Sequence, residues 1–189
     1  MFNISKNKTK VNFELAVNRF MNDILKVQKN LILLFLLLFS LPIIADSIPQ
    51  FQMKDQYGQS YSDTSVKGKP IVLMGCFLLD VEVCRKQGRK LYWKMQNLLW
   101  KDSNKVNFLL YLDLKESNKI VEDYIEESKH KQYENILLDR KGQLTNGLSK
   151  GEVYIRIYNK SGKLISSSYQ SQIEETLIQE VYEILKKEI

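Results

Sequence analysis

Two cysteines, three prolines, one histidine and eight glycines among 189 residues are few, and each scarcity removes a class of chemistry. The single histidine, His130, stands in the charged stretch Ser128-Lys-His-Lys131. A histidine-rich metal site therefore has no second imidazole, and a catalytic triad would have to use this one, whose expected surrounding is solvent. Asp80, Asp113 and Asp139 stand near expected strand ends and are candidates for holding an ion. Their separation gives no metal-ligand spacing, so solvated loop positions are expected, and no cofactor motif is legible. No proline follows Pro70.

Long apolar runs are also scarce. The one that exists, Leu31 to Ile44, is shorter than the about 20 residues a membrane-crossing helix needs, and Pro42 breaks it. It fits the apolar region of a secretory signal, with Lys26 and Lys29 before it and the small Ala45 after it, so cleavage is expected after Ala45. This divides the chain into an N-terminal extension and signal peptide, 1–45, and one domain, 46–189, of the commonest size. The expected location is periplasmic or extracellular. The alternative is an uncleaved anchor through 31–45, whose preceding Lys and Arg satisfy the positive-inside rule, and this is the membrane contact the sequence allows.

The net charge is +6, but part of it precedes the apolar run and the rest alternates with acids. The tight cluster Lys86, Arg89, Lys90 and Lys94 reads as a solvated helix face, and no nucleic-acid partner is expected. The periodicity of the remainder gives an order of elements. Residues 51–70 form a small hairpin turning at Gln56 to Gly58. The run Ile71-Val-Leu-Met-Gly75 is a strand buried on both faces. Residues 83–101 are an amphipathic helix with Leu91, Met95, Leu98 and Leu99 inward. Val106 to Leu112 is a second buried strand, and 115–131 a helix with Ile120, Val121, Tyr124 and Ile125 inward. Asn135 to Asp139 is a short strand or extended segment. A hairpin, 153–158 and 163–168, turns at Asn159 to Gly162. A helix at 173–187 uses Leu177, Val181, Ile184 and Leu185. Trp93 and Trp100, with Tyr92, are expected to pack in the core.

This order, βαβ, a connecting helix, then ββα, resembles the thioredoxin-like superfamily. The N-terminal hairpin is that of its redoxin and peroxiredoxin members. The stretches FQMKDQYGQSYSDTSVKGKPIVLMGC and VYIRIYNKSGKLI carry the likeness. The implied fold is an α/β domain on a central mixed sheet. The chain is also similar to exported YtfJ-like proteins, through LLDRKGQL and a last hairpin without a preceding proline, a likeness that implies no activity.

The resemblance places reactive cysteines where the first core strand meets the next helix, because free N–H groups and the helix dipole stabilise a thiolate there. Cys76 and Cys84 stand at that junction, but residues 77 to 83 separate them, where a dithiol motif has two residues. Matching Cys84-Arg-Lys86 to the second cysteine puts Val81 at the nucleophile position. No threonine and proline precede Cys76 as in peroxiredoxins, and Lys150-Gly-Glu152 replaces the proline that shapes the thioredoxin groove. Three states of the pair stay open: a reversible redox pair working on a thiol substrate or protein partner, a structural disulfide in a non-catalytic binding domain, and two buried thiols. The even count and an oxidising compartment favour the structural disulfide.

Overall fold

The computed structural model describes residues 46–116, 118–131 and 134–189. The expected signal region, 1–45, lies outside the described residues. The elements are β1 (Gln52–Lys54), β2 (Ser60–Ser62), α1 (Asp63–Val66), β3 (Ile71–Phe77), α2 (Val81–Leu99), β4 (Asn107–Asp113), α3 (Lys119–His130), β5 (Ile136–Asp139), β6 (Val153–Tyr158), β7 (Leu164–Gln170) and α4 (Glu175–Glu188). Short 3₁₀ turns at Leu78–Asp80 and Trp100–Lys105 flank α2.

The main sheet has the order β5-β4-β3-β6-β7. β3, β4 and β5 are parallel, while β6 runs antiparallel to β3 and to β7. The extended segment after α3 is thus a true edge strand. The steps from β3 to β4 and from β4 to β5 go the same way across the sheet. Right-handed crossovers then put α2 and α3 on one face. Accordingly Val72, Met74 and Cys76 of β3 pack with Leu91, Met95 and Leu99 of α2, Val121 and Ile125 of α3, and Ile178, Val181 and Leu185 of α4. The opposite face, with Ile71, Leu73, Leu109, Tyr111 and Tyr158, is covered by Ile48, Phe51, Met53, Val66 and Leu144. Cover on both sides explains the unbroken apolar run of β3, where Ile71, Val72 and Leu73 are each 0% exposed.

The small hairpin turns because the Asp55 carboxylate accepts hydrogen bonds from the Tyr57 and Gln59 N–H groups, each at 2.9 Å. Gly58 takes the left-handed φ of +87°.

Several expectations about the helices are corrected. α2 begins at Val81 and stops at Leu99, because Trp100 adopts φ +50°. The break has no Gly or Pro to announce it. Leu98 consequently faces outward, as does Ile120 beside the Asn118 cap of α3. That cap, whose Oδ1 accepts the Val121 N–H at 3.2 Å, starts α3 at Lys119 rather than at 115. Trp93 and Trp100, expected in the core, are 53% and 72% exposed. Leu91, Met95 and Leu99 fill the helix–sheet space and leave no room for an indole. Truncating Leu91 to Ala would cost about 2–5 kcal/mol, the range for a fully buried leucine.

Candidate functional site

β3 brings Cys76 to the carboxyl end of the parallel strands, and the 3₁₀ turn Leu78–Asp80 passes the chain into α2, whose first turn holds Cys84. The two cysteines are joined in a disulfide with a Cα–Cα distance of 6.1 Å. Both are 0% exposed and belong to the helix-side core, with Leu78, Val81 and Val83 packed against that core. Val81, at the position the resemblance assigns to a nucleophile, is the first residue of α2. Exchange begins when a thiolate reaches a sulfur of the bond. Here both cysteines lie in an apolar cluster, with Cys76 Sγ 3.8 Å from the Asp80 carbonyl oxygen. Leu79, at the outer tip of the turn, is 90% exposed.

The loop before β6 lies against this turn. Gly151, at φ +76°, donates its N–H to Asp80 Oδ2 at 3.0 Å. This is the place to which the resemblance assigned a groove-shaping proline, and no peptide among the described residues is cis. The backbone donor of the loop is thereby committed within the chain. Beside it Arg85 pairs with Glu82 at 2.7 Å on the first turn of α2.

On the other face, directly before Cys76, a Cβ on Gly75 would coincide with the Tyr111 ring. The absent side chain lets that ring lie across β3. The Tyr111 hydroxyl donates to the Leu144 carbonyl at 2.9 Å and accepts from Arg156 Nη2 at 2.7 Å. Arg156 is 4% exposed, pairs with no carboxylate among the described residues, and lies 4.7 Å over the Tyr154 ring. Burial pushes the Tyr111 hydroxyl well above its ordinary range, with the Arg156 charge opposing. Sequence reasoning passed over this cluster. Its one available signal was a glycine inside an apolar strand, which marks close approach of another group.

The remaining expected candidates are not brought together with the cysteines. Asp113 and Asp139 are buried rather than solvated: Asp113 accepts the Lys115 N–H at 3.0 Å, and Asp139 those of Gln143 and Leu144 at 2.9 and 2.7 Å. They organise turns. His130 is exposed, 3.7 Å from Glu126. Arg89 and Lys94 pair with Glu134 and Glu175. Among the described residues no group of three or more His, Cys, Asp or Glu side chains is placed to hold a metal ion, and no helix is long and apolar enough to cross a membrane. A cleft of about 970 Å³, walled by Tyr92, Trp93 and Arg89 of α2, contains neither cysteine.

No family model matches the sequence, and no curated protein is significantly similar to it. Solved structures are. The exposed lipoprotein thioredoxin of Streptococcus pneumoniae matches at 17% identity and a TM-score of 0.54, over 72% of this chain and 99% of its own. The thioredoxin domain of a thiol-disulfide oxidoreductase from Bacteroides vulgatus matches at 18% identity and 0.54, over 75% and 96%. The copper-bound ScoI of Bradyrhizobium japonicum matches at 17% and 0.54, over 77% and 100%. Identities this low speak for architecture alone. With its mixed sheet, its N-terminal hairpin and a disulfide where the first core strand meets its helix, the chain has the thioredoxin-like fold.

Proposed function

We propose that the chain is an exported, non-catalytic thioredoxin-like binding domain in which Cys76–Cys84 is a structural disulfide. The observation that carries this is the complete burial of both cysteines. A buried disulfide with no approach for a thiolate clamps a strand to a helix and does not turn over. The Asp80 to Gly151 hydrogen bond supports the same reading, since it occupies a backbone donor at the edge where the family receives extended substrates. The binding role is supported by Leu79, held out into solvent on the disulfide-bounded turn. An isolated exposed leucine is ordinary, but one presented on a rigid turn is a ready anchor for a protein partner.

Export is supported by the signal-like segment ending at Ala45 and by a disulfide, which persists in oxidising compartments. In that reading 1–45 are removed and the domain begins at Asp46. N-terminal sequencing of the product from fractionated cells tests it. A product that starts at Met1 in the cytoplasm overturns it.

A second reading, reversible thiol–disulfide exchange through the same pair, is favoured by one observation: Cys84 lies in the first turn of α2, where helix N–H groups stabilise a thiolate. One experiment separates the two. Free thiols are counted by mass after exposure of the native protein to glutathione, and the reduction potential is measured. A potential below about −300 mV with no thiols released fits the structural clamp. Release of two thiols by glutathione, with one acidic thiol, selects exchange.

A further inference from the structure

We propose that the free edge of β7 is a homodimer interface, pairing antiparallel with β7 of a second copy about a two-fold axis at Ser167. β7 is the last strand of the sheet, and its sequence, LISSSYQ, contains no charge and no proline. Soluble proteins protect such edges with lysines, prolines or cover. Among the described residues cover exists at the beginning only. Ser47 forms an antiparallel bridge with Lys163, the Ile48 N–H donates to the Gly162 carbonyl at 2.8 Å, and the Leu164 N–H donates to the Asp46 carbonyl at 2.7 Å. The edge thus accepts an antiparallel strand along its first residues, and among the described residues nothing covers it from Ile165 onward. The ladder irregularity leaves Ile165 without a partner on β6 at the first open position, while Ser166 to Gln170 keep regular register with Ile157 to Val153.

A second copy is the occupant because the strand is complementary to itself. Along β7 exposure alternates, with Ile165, Ser167 and Tyr169 outward. Ile165 and Tyr169 are 41% and 44% exposed. They flank Ser167 symmetrically, so antiparallel pairing centred there sets each Ile165 against the partner's Tyr169 and Ser167 against its equivalent. Aromatic and β-branched side chains make a favourable cross-strand pair. The Tyr169 ring is already held in place, stacked on Tyr154 at 4.5 Å with 8° between planes. Charge agrees: Lys160 and Lys163, both exposed, precede the strand, and the exposed Glu174 follows it. Antiparallel pairing brings the basic end of one strand to the acidic end of the other. A parallel arrangement would oppose like charges. The short open stretch makes this a weak, concentration-dependent dimer.

The test is made on the protein as its cells export it, with Cys76–Cys84 intact. In Ser167→Cys the two new thiols face each other at about 4.5–5.5 Å between Cα atoms, inside the disulfide range. Mild oxidation is expected to give a covalent dimer with the new bond at 167. An equimolar mixture of Ile165→Cys and Tyr169→Cys is expected to give the mixed dimer in preference to either symmetric one. Sedimentation of the wild type should show reversible association, weakened at least tenfold, about 1.4 kcal/mol, by Ile165→Lys with unchanged circular dichroism. A monomer at all concentrations, or a dimer in which Ser167→Cys does not cross-link, overturns the proposal.

Discussion

Asp80, midway between Cys76 and Cys84, accepts the Gly151 N–H at 3.0 Å and so ties the disulfide-bounded turn to the loop that leads into β6. One carboxylate thus holds together the turn between the two cysteines and the loop before β6. Asp80→Ala should therefore loosen the loop without unfolding the domain. The expected loss is about 0.5–1.5 kcal/mol, the worth of one partly solvated hydrogen bond. Exchange of the Gly151 amide should quicken about tenfold, while amides in β3 stay protected. An unchanged Gly151 rate would show that the bond does not hold the loop.

Removing the disulfide with Cys76→Ala and Cys84→Ala together should lower stability by about 2–3 kcal/mol, from a closed loop with a sequence separation of 8. Thermal unfolding of the double variant reads the change. A loss well under 1 kcal/mol would mean that the bond contributes little to the clamp proposed here.

Gly75→Ala forces a methyl group into the Tyr111 ring. Overpacking of this kind costs about 1–3 kcal/mol, and the strained strand end holds Cys76. The variant should lose stability in denaturant titrations and show altered tyrosine near-ultraviolet circular dichroism. Gly88→Ala, with only side-chain methyls at 3.4 Å or beyond, should be tolerated far better.

Stability should fall at alkaline pH through the tyrosines on the hairpin side. Burial raises Tyr111 and Tyr158 above the ordinary value of 10.0. A raised folded-state value gives stability that is whole below the unfolded value and is lost as pH climbs through the folded one. Unfolding midpoints should thus decline from about pH 10 upward. Tyr111→Phe should flatten that decline while lowering stability at neutral pH, since Arg156 Nη2 and the Leu144 carbonyl lose their partner.

The acid limb has a different origin. Arg140 forks onto Glu122, with Nη2 to Oε2 at 2.8 Å, and holds its carboxyl below the ordinary 4.5. A lowered folded-state value gives stability present above the unfolded value and lost as pH falls through the folded one. The pair is half-exposed, so its worth is within about 1 kcal/mol and fades with salt. Glu122→Gln should make the acid limb shallower at low salt and indistinguishable from wild type at high salt.

Much of the fold was legible because its signals are local. The both-sided burial of Ile71 to Gly75, the Asn159 to Gly162 turn and the stripe of α4 follow from residue type and period. Their outcome is the thioredoxin-like arrangement the resemblance implied. What escaped was set by how side chains and loops pack rather than by residue type and period. Trp93 and Trp100 have the spacing of core residues, but the space under α2 is taken by Leu91 and Met95. Asp139 looks like a surface turn residue, yet is buried because Gln143 and Leu144 wrap back to it. For the site, sequence placed both cysteines at the right junction, but their burial depends on packing by Leu78, Val81 and Val83 that no motif encodes.

The placement of α2 and α3 on the same face has a consequence in time. The opposite face must be closed by the beginning of the domain, and Asp46 and Ile48 lock onto Leu164 and Gly162 at the last hairpin. A ribosome delivers those partners at opposite ends of the synthesis. Until the final strands emerge, Phe51 and Met53 have only a partial surface to cover. The far side of this sheet can therefore be sealed only once nearly the whole chain is present, which leaves the growing polypeptide open until its synthesis is almost complete.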